Sequence, residues 1–128
     1  MPQQRDPFMW VARNTVINGV DLVVITEPIR DRDQVLYCDE LSVCNHQGSG
    51  GDVTVGLVFG GRFFELDTIY NLVAGMWHYA KSRFTFLSNW QIYARFHYED
   101  DGNRGACVNG DDCELHVVGY TLEPFTTP

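Results

Sequence analysis

The sequence holds one lysine, Lys81, and only nine Lys and Arg residues in all, against 17 Asp and Glu. The net charge is −8 over 128 residues. Binding to a phosphate backbone needs a basic footprint, so this shortage of cations argues against a general nucleic-acid binder. It argues equally against docking on an anionic membrane. No stretch approaches the run of about 18 apolar residues that a membrane helix requires. The opening Met1-Pro2-Gln3-Gln4-Arg5-Asp6-Pro7 leads into no signal-peptide core, and folding in a cytoplasm is expected. Catalytic motifs are also missing. There is no G-x-S-x-G elbow and no catalytic cysteine motif. Gly48 to Gly51 is glycine-rich, but it follows a polar loop and precedes no helix, unlike a phosphate loop. A non-enzymatic protein without cofactor or metal is expected. There is no internal repeat and no low-complexity segment.

What remains suits one ordered domain. Hydrophobic residues make up 45% of the chain, which is too apolar for disorder. The length fits a single domain with a substantial core. Residues 1–9 are polar with two prolines and read as an N-terminal arm, leaving residues 10–128 as the folded domain. Short alternating runs then follow one another. Trp10 to Ile17, Asp21 to Ile25, Gln34 to Val43 and Val53 to Phe59 each read as a strand. Gly60-Gly61 is a hairpin signal, with Arg62 to Leu66 as the returning strand. Phe84 to Tyr98 is an aromatic run that a turn at Ser88-Asn89 divides in two. Glu114 to Leu122 is the last strand. About eight or nine short strands with frequent turns point to a β-sandwich, jelly roll or barrel.

Asp67 to Arg83 is ambiguous. Ile69, Leu72, Val73, Met76 and Ala80 have helical spacing, whereas Asn71 and Gly75 interrupt it and Trp77, His78 and Tyr79 favour strand.

Four cysteines, Cys38, Cys44, Cys107 and Cys113, form two C-x5-C pairs, a weak signal for zinc. Reduced thiols are the default in a cytoplasm. Asn109-Gly110 between Cys107 and Cys113 is a hairpin signal, and a Cys107–Cys113 bridge across it is geometrically reasonable. Cys38 and Cys44 flank a segment that spans roughly 20 Å when extended, far beyond disulfide reach.

The candidate chemistry is sparse. His46, His78, His97 and His116 fall on separate elements without metal-motif spacing. His97 with Glu99, and His116 with Glu114, alternate on one strand face and read as surface His–carboxylate pairs. Glu99-Asp100-Asp101-Gly102-Asn103 is acidic but lacks the spacing of a calcium loop. Trp90, beside a turn, is expected to be exposed and to suit a partner contact. Phe8 and Trp10 at the arm and Arg62 after the glycine turn join it as expected partner-binding residues.

The order of the pieces adds to this. Leu41-Ser42-Val43 precedes a Gly-Ser loop, then come Asp52-Val53-Thr54-Val55-Gly56-Leu57 and Leu72-Val73-Ala74-Gly75. Ala94-Arg95-Phe96, Gly110-Asp111-Asp112 and the strand from Glu114 to Glu123 follow. Over residues 34–123 this succession resembles small jelly-roll virion proteins of tailed bacteriophages, of the head-decoration or tail-accessory type. The four cysteines and the Asn89-Trp90 pair depart from that pattern. The resemblance implies an all-β, antiparallel jelly-roll-like sandwich of about eight strands, with Leu72 to Gly75 as a turn. It also implies a virion structural protein, made in the host cytoplasm. Its partners would be its own copies, with a trimer favoured, and a major capsid or tail protein. A carbohydrate-binding β-sandwich module is the alternative, with exposed tryptophans as a sugar platform. A third reading is a small α+β enzyme with a helix at 67–83 and a cavity lined by Trp77, His78 and Tyr79.

Overall fold

The computed structural model describes residues 5–26, 35–81, 83–87, 90–100 and 102–122. Among these residues nine strands form two antiparallel sheets: β1 (Arg5–Thr15), β2 (Leu22–Ile25), β3 (Val35–Asn45), β4 (Asp52–Phe59), β5 (Arg62–Tyr70), β6 (His78–Tyr79), β7 (Phe84–Leu87), β8 (Gln91–Phe96) and β9 (Asp112–Leu122). The first sheet runs β1-β9-β3-β6, with β7 also on β3, and the second runs β2-β8-β4-β5. β6 pairs with Ser42–Val43 and β7 with Val35–Cys38, so they are two pieces of one interrupted edge. With that edge counted once, the eight strand positions follow the alternation of a jelly roll. β1 to β4 switch sheets at every step, β4 and β5 share one sheet, and the last three positions switch again.

The pattern of side chains dictates this arrangement. Along β9, Cys113, Leu115 and Val117 point into the core, each fully buried, while Glu114, His116 and Val118 between them face outward. Leu36, Leu41 and Val43 of neighbouring β3 join them, and the facing sheet contributes Val53, Val55, Ile92 and Phe96, all at most 1% exposed. Burial of such aliphatic area between two sheets is the main stabilising term of a sandwich. Gly60 and Gly61 both have positive φ, 57° and 75°, as a tight two-residue hairpin demands, and they join β4 to β5.

The strand register corrects one expectation, and the backbone resolves one ambiguity in favour of the turn at Leu72 to Gly75. Residues 5–9, expected in the arm, are the first half of β1. Every residue from Arg5 to Thr15 is paired with β9. Pro7 is tolerated there because β1 is an edge strand, where one side of the backbone needs no ladder partner. Residues 1–4 lie outside the described residues. The ambiguous stretch contains no helix across 67–81. β5 continues to Tyr70, then Asn71 (φ 56°) and Gly75 (φ 74°) both take left-handed backbone, which breaks the helical spacing. Leu72 is buried between them, and Gly50 N donates to its carbonyl at 2.6 Å. This removes the basis of the α+β enzyme reading. The expected turn at Ser88-Asn89 lies outside the described residues.

Candidate contact surface and a histidine–glutamate cluster

The β4–β5 hairpin at the edge of the second sheet exposes apolar side chains on both of its faces. Phe59, Phe63, Phe64 and Leu66 are each between 41% and 48% exposed. They sit on the β4–β5 hairpin, and among the described residues β5 has β4 as its sole neighbour in the sheet. Arg62 is exposed and lies opposite Phe59 in the register. Phe63 meets Tyr93 edge to face at 4.8 Å, and the Arg95 guanidinium lies 5.6 Å from the Phe63 ring centre. From Val53 to Phe64 the only charged residue is Arg62. Each face of the hairpin therefore sets aromatic rings beside one arginine, Arg62 with Phe59 and Phe64 on one face and Arg95 with Phe63 on the other, on a strongly acidic protein. Aromatic residues and arginine are the types that anchor protein interfaces.

The residues expected to bind partners fall into two pairs on different sheets. Trp90 meets Phe59, with ring centres 5.0 Å apart, and Phe59 faces Arg62, so those two residues share the hairpin end. Trp90 is not the exposed turn residue expected. It is half-buried against the core, and its indole nitrogen is buried without a hydrogen-bond partner among the described residues. Phe8 and Trp10 point inward from β1. Their rings lie 4.9 Å apart and 6.4 and 5.6 Å from Phe86. They are packing residues of the sandwich edge.

A second constellation lies on the outer face of the first sheet. Glu114 and His116 alternate on β9, and the register sets Cys44 of β3 opposite Glu114. His46 follows β3 directly, so its ring reaches the same carboxylate. His46 Nε2 lies 2.8 Å from one Glu114 oxygen, and His116 Nε2 lies 3.0 Å from the other. An ionised carboxylate only accepts, so each Nε2 carries the donated proton. Arg13 of β1 adds a guanidinium 3.6 Å from Glu114. Trp77 roofs the group, 4.1 Å from the His116 ring and 6.2 Å from His46. Burial alone would raise the Glu114 pKa, but the hydrogen bonds from His46 and His116, helped by the charges of His46 and Arg13, outweigh it. The carboxyl is held below its ordinary value. Its neighbour Asp112 is also lowered, by hydrogen bonds from Thr15 and Gln47 and then by Arg13 and His46.

Cys44 Sγ lies 3.8 Å from His46 Nδ1, giving a Cys–His–Glu sequence of contacts. The chemistry of a nucleophile does not follow from it. The thiol is fully buried, and desolvation, then the charge of Glu114, raises its pKa, the opposite of an activated thiolate. Among the described residues no group of three or more His, Cys, Asp and Glu side chains is placed to hold a metal ion. No helix among them is long and apolar enough to cross a membrane.

The Glu114–His116 pair was legible in their spacing on one strand. His46, 68 positions from Glu114, becomes visible only once β3 is known to pair with β9. His97 is buried. Its ring contacts Thr54 at 3.1 Å and Arg104 at 2.9 Å, with Asp21 at 3.6 Å. All four cysteines are free and buried. The Cys107–Cys113 bridge is absent because the hairpin that would close it does not form. Cys107 bridges to Tyr98, whereas Cys113 pairs with Asn14 and Asn45.

No family model matches the chain, and neither does any curated protein.

Proposed function

We propose that the protein is a non-enzymatic structural protein of a virion, acting as a homo-oligomer that also contacts a major capsid or tail protein. A jelly roll serves many functions, so the fold by itself is weak support. The observation that carries the reading is the aromatic–arginine patch on the β4–β5 hairpin. Exposed apolar groups on an edge strand are an association site unless something covers them. A second copy of the chain is the occupant with the right charge. Arg62 lies on one face of the hairpin and Arg95 beside Phe63 on the other, while each copy carries a net charge of −8. Such a contact joins two different surfaces, and it closes into a ring when the rotation between copies allows, as in the favoured trimer. The buried, high-pKa thiol of Cys44 supports a role without covalent catalysis.

Native mass spectrometry of the purified chain tests the oligomer. The wild type is expected as a closed oligomer, and the double variant Phe63→Glu/Phe64→Glu as a folded monomer with the same β-type circular dichroism. A wild type that stays monomeric at every concentration would overturn the oligomer. The virion role is tested separately, by asking whether an antibody to the chain labels particles purified from the cells that make it. Particles free of the chain reject that part of the reading.

A further inference from the structure

The outer face of the first sheet carries a cleft that neither the aromatic patch nor the histidine cluster uses. It encloses about 300 Å³ and is lined by Tyr37, Cys38, Asp39, Arg83, Phe84, Thr85 and Tyr120. We infer that this cleft binds a sugar ring, stacked on Tyr37 and hydrogen-bonded by Asp39 and Arg83.

The register builds the site. Thr85 of β7, Tyr37 of β3 and Tyr120 of β9 stand directly opposite one another across three adjacent strands. The two tyrosine rings are stacked, 5.1 Å apart at 13°. Each ring braces the other, which fixes an aromatic wall before any ligand arrives. Preorganisation of this kind lowers the entropic cost of binding. Gly119, next to Tyr120, is required for it, because a Cβ there would run into the Tyr37 carbonyl. At Asp39 the pairing between β3 and β9 shifts register, leaving one bulged residue beside the tyrosine wall. Bulges re-aim side chains in this way next to binding sites. Asp39 and Arg83 are both exposed at the rim.

The chemistry selects the ligand class. The cleft combines an aromatic face, an acceptor-only carboxylate and a guanidinium with several fixed donors. A sugar ring matches all three, with a C–H face for the aromatic wall and hydroxyls that both donate and accept. The volume lies at the lower end of small-molecule sites, roughly 300–1,000 Å³, and suits one or two sugar rings. Phosphorylated ligands fit poorly. Arg83 is the one cation among the described residues of the cleft, Asp39 opposes an anion, and the chain is strongly acidic. The site lies on the sheet that does not hold the β4–β5 hairpin, so it stands apart from the oligomer reading.

Saturation-transfer NMR tests the inference on the full chain. The probes are the methyl glycosides of glucose, galactose, mannose and N-acetylglucosamine, with N-acetylneuraminic acid and adenosine. Transfer to at least one sugar is expected. The surface variants Asp39→Ala and Arg83→Ala should each weaken it by about tenfold or more while leaving the fold intact. Tyr37→Ser removes the stacking face and should weaken binding as well. Three results overturn the site: no transfer to any sugar, equal transfer in wild type and both alanine variants, or transfer to adenosine alone.

Discussion

The indole of Trp77 lies on the imidazole of His116, with ring centres 4.1 Å apart. This contact roofs a charged cluster with an apolar lid. Beneath it His116 and His46 hold the two oxygens of Glu114, whose side chain is only 12% exposed. Hydrogen bonds strengthen where water is excluded, and a buried carboxylate that loses its partners is costly. Glu114→Gln keeps the shape but removes the charge and leaves two imidazole donors facing a neutral amide. The expected cost is about 1–2 kcal/mol, allowing for some solvent screening. Urea denaturation measures it, and an unchanged midpoint would refute the cluster's contribution.

The same carboxyl sets an acid limit. Glu114 and Asp112 are both held below their ordinary values of 4.5 and 3.8. A lowered carboxyl gives stability that is fully present above the ordinary value and is lost as pH falls through the lower folded-state value. Their contribution is therefore constant from neutral pH down to about pH 5 and declines below that. Urea midpoints measured against pH should fall below this point, and the fall should be shallower in Glu114→Gln. Parallel curves for the two proteins would contradict the assignment.

The N-terminal strand makes a different prediction from an arm. An arm can be removed without loss of fold. Phe8, however, packs on Trp10 and Phe86, and residues 5–9 are laddered to β9. Phe8→Ala should cost about 1–3 kcal/mol, less than a fully buried phenylalanine because the ring is only partly buried. Deleting residues 1–9 should cost more and lower the melting temperature markedly. A deletion variant that melts with the full-length chain would restore the arm.

Gly56 tests the geometry of the hairpin patch. β4 and β5 shift register between Val55 and Gly56, and a Cβ at position 56 would meet the Phe64 carbonyl. Backbone is the least able to yield, so Gly56→Ala should destabilise by about 1–3 kcal/mol. It should also loosen the presentation of Phe63 and Phe64. An alanine variant as stable as wild type would mean that the strands do not approach so closely.

How much of this was legible depended on how local each signal was. Val53 to Phe59, the Gly60-Gly61 turn and the alternation from Glu114 to Leu122 carry their own periodicity, and they form strands as read. The Asn71 and Gly75 breaks were visible too, but helical spacing in Leu72, Val73 and Met76 competed with them until the backbone torsions decided it. Arg5 to Met9 looked like an arm because proline and charge dominate its composition. Its one inward anchor, Phe8, makes sense only beside β9, more than 100 positions away. Trp90 looked exposed because its neighbours signal a turn, yet Phe59 from another strand lies against it. His46 with Glu114, and Tyr37 with Tyr120, are likewise products of register between distant strands, which no local pattern encodes.

The cysteines give the sharpest test of that register. A hairpin closing Cys107 onto Cys113 would allow a bridge, whereas the observed pairing sends them to different neighbours. Cys107 is bonded to the carbonyls of Phe96 and His97, each at 3.5 Å, and all four thiols are buried. Burial pushes the Cys38 and Cys107 thiols up to about 11, and raises Cys44 and, most of all, Cys113. The thiolate is the reactive form, so native protein should resist Ellman's reagent at pH 8, and the reaction should follow unfolding. In denaturant without reductant, all four should titrate. Mass spectrometry without reductant should show the fully reduced mass, and adding reductant should leave the melting temperature unchanged. A mass two hydrogens lighter, or fewer than four thiols on denaturation, would mean that a bridge forms and that the strands around Asn109-Gly110 pair differently.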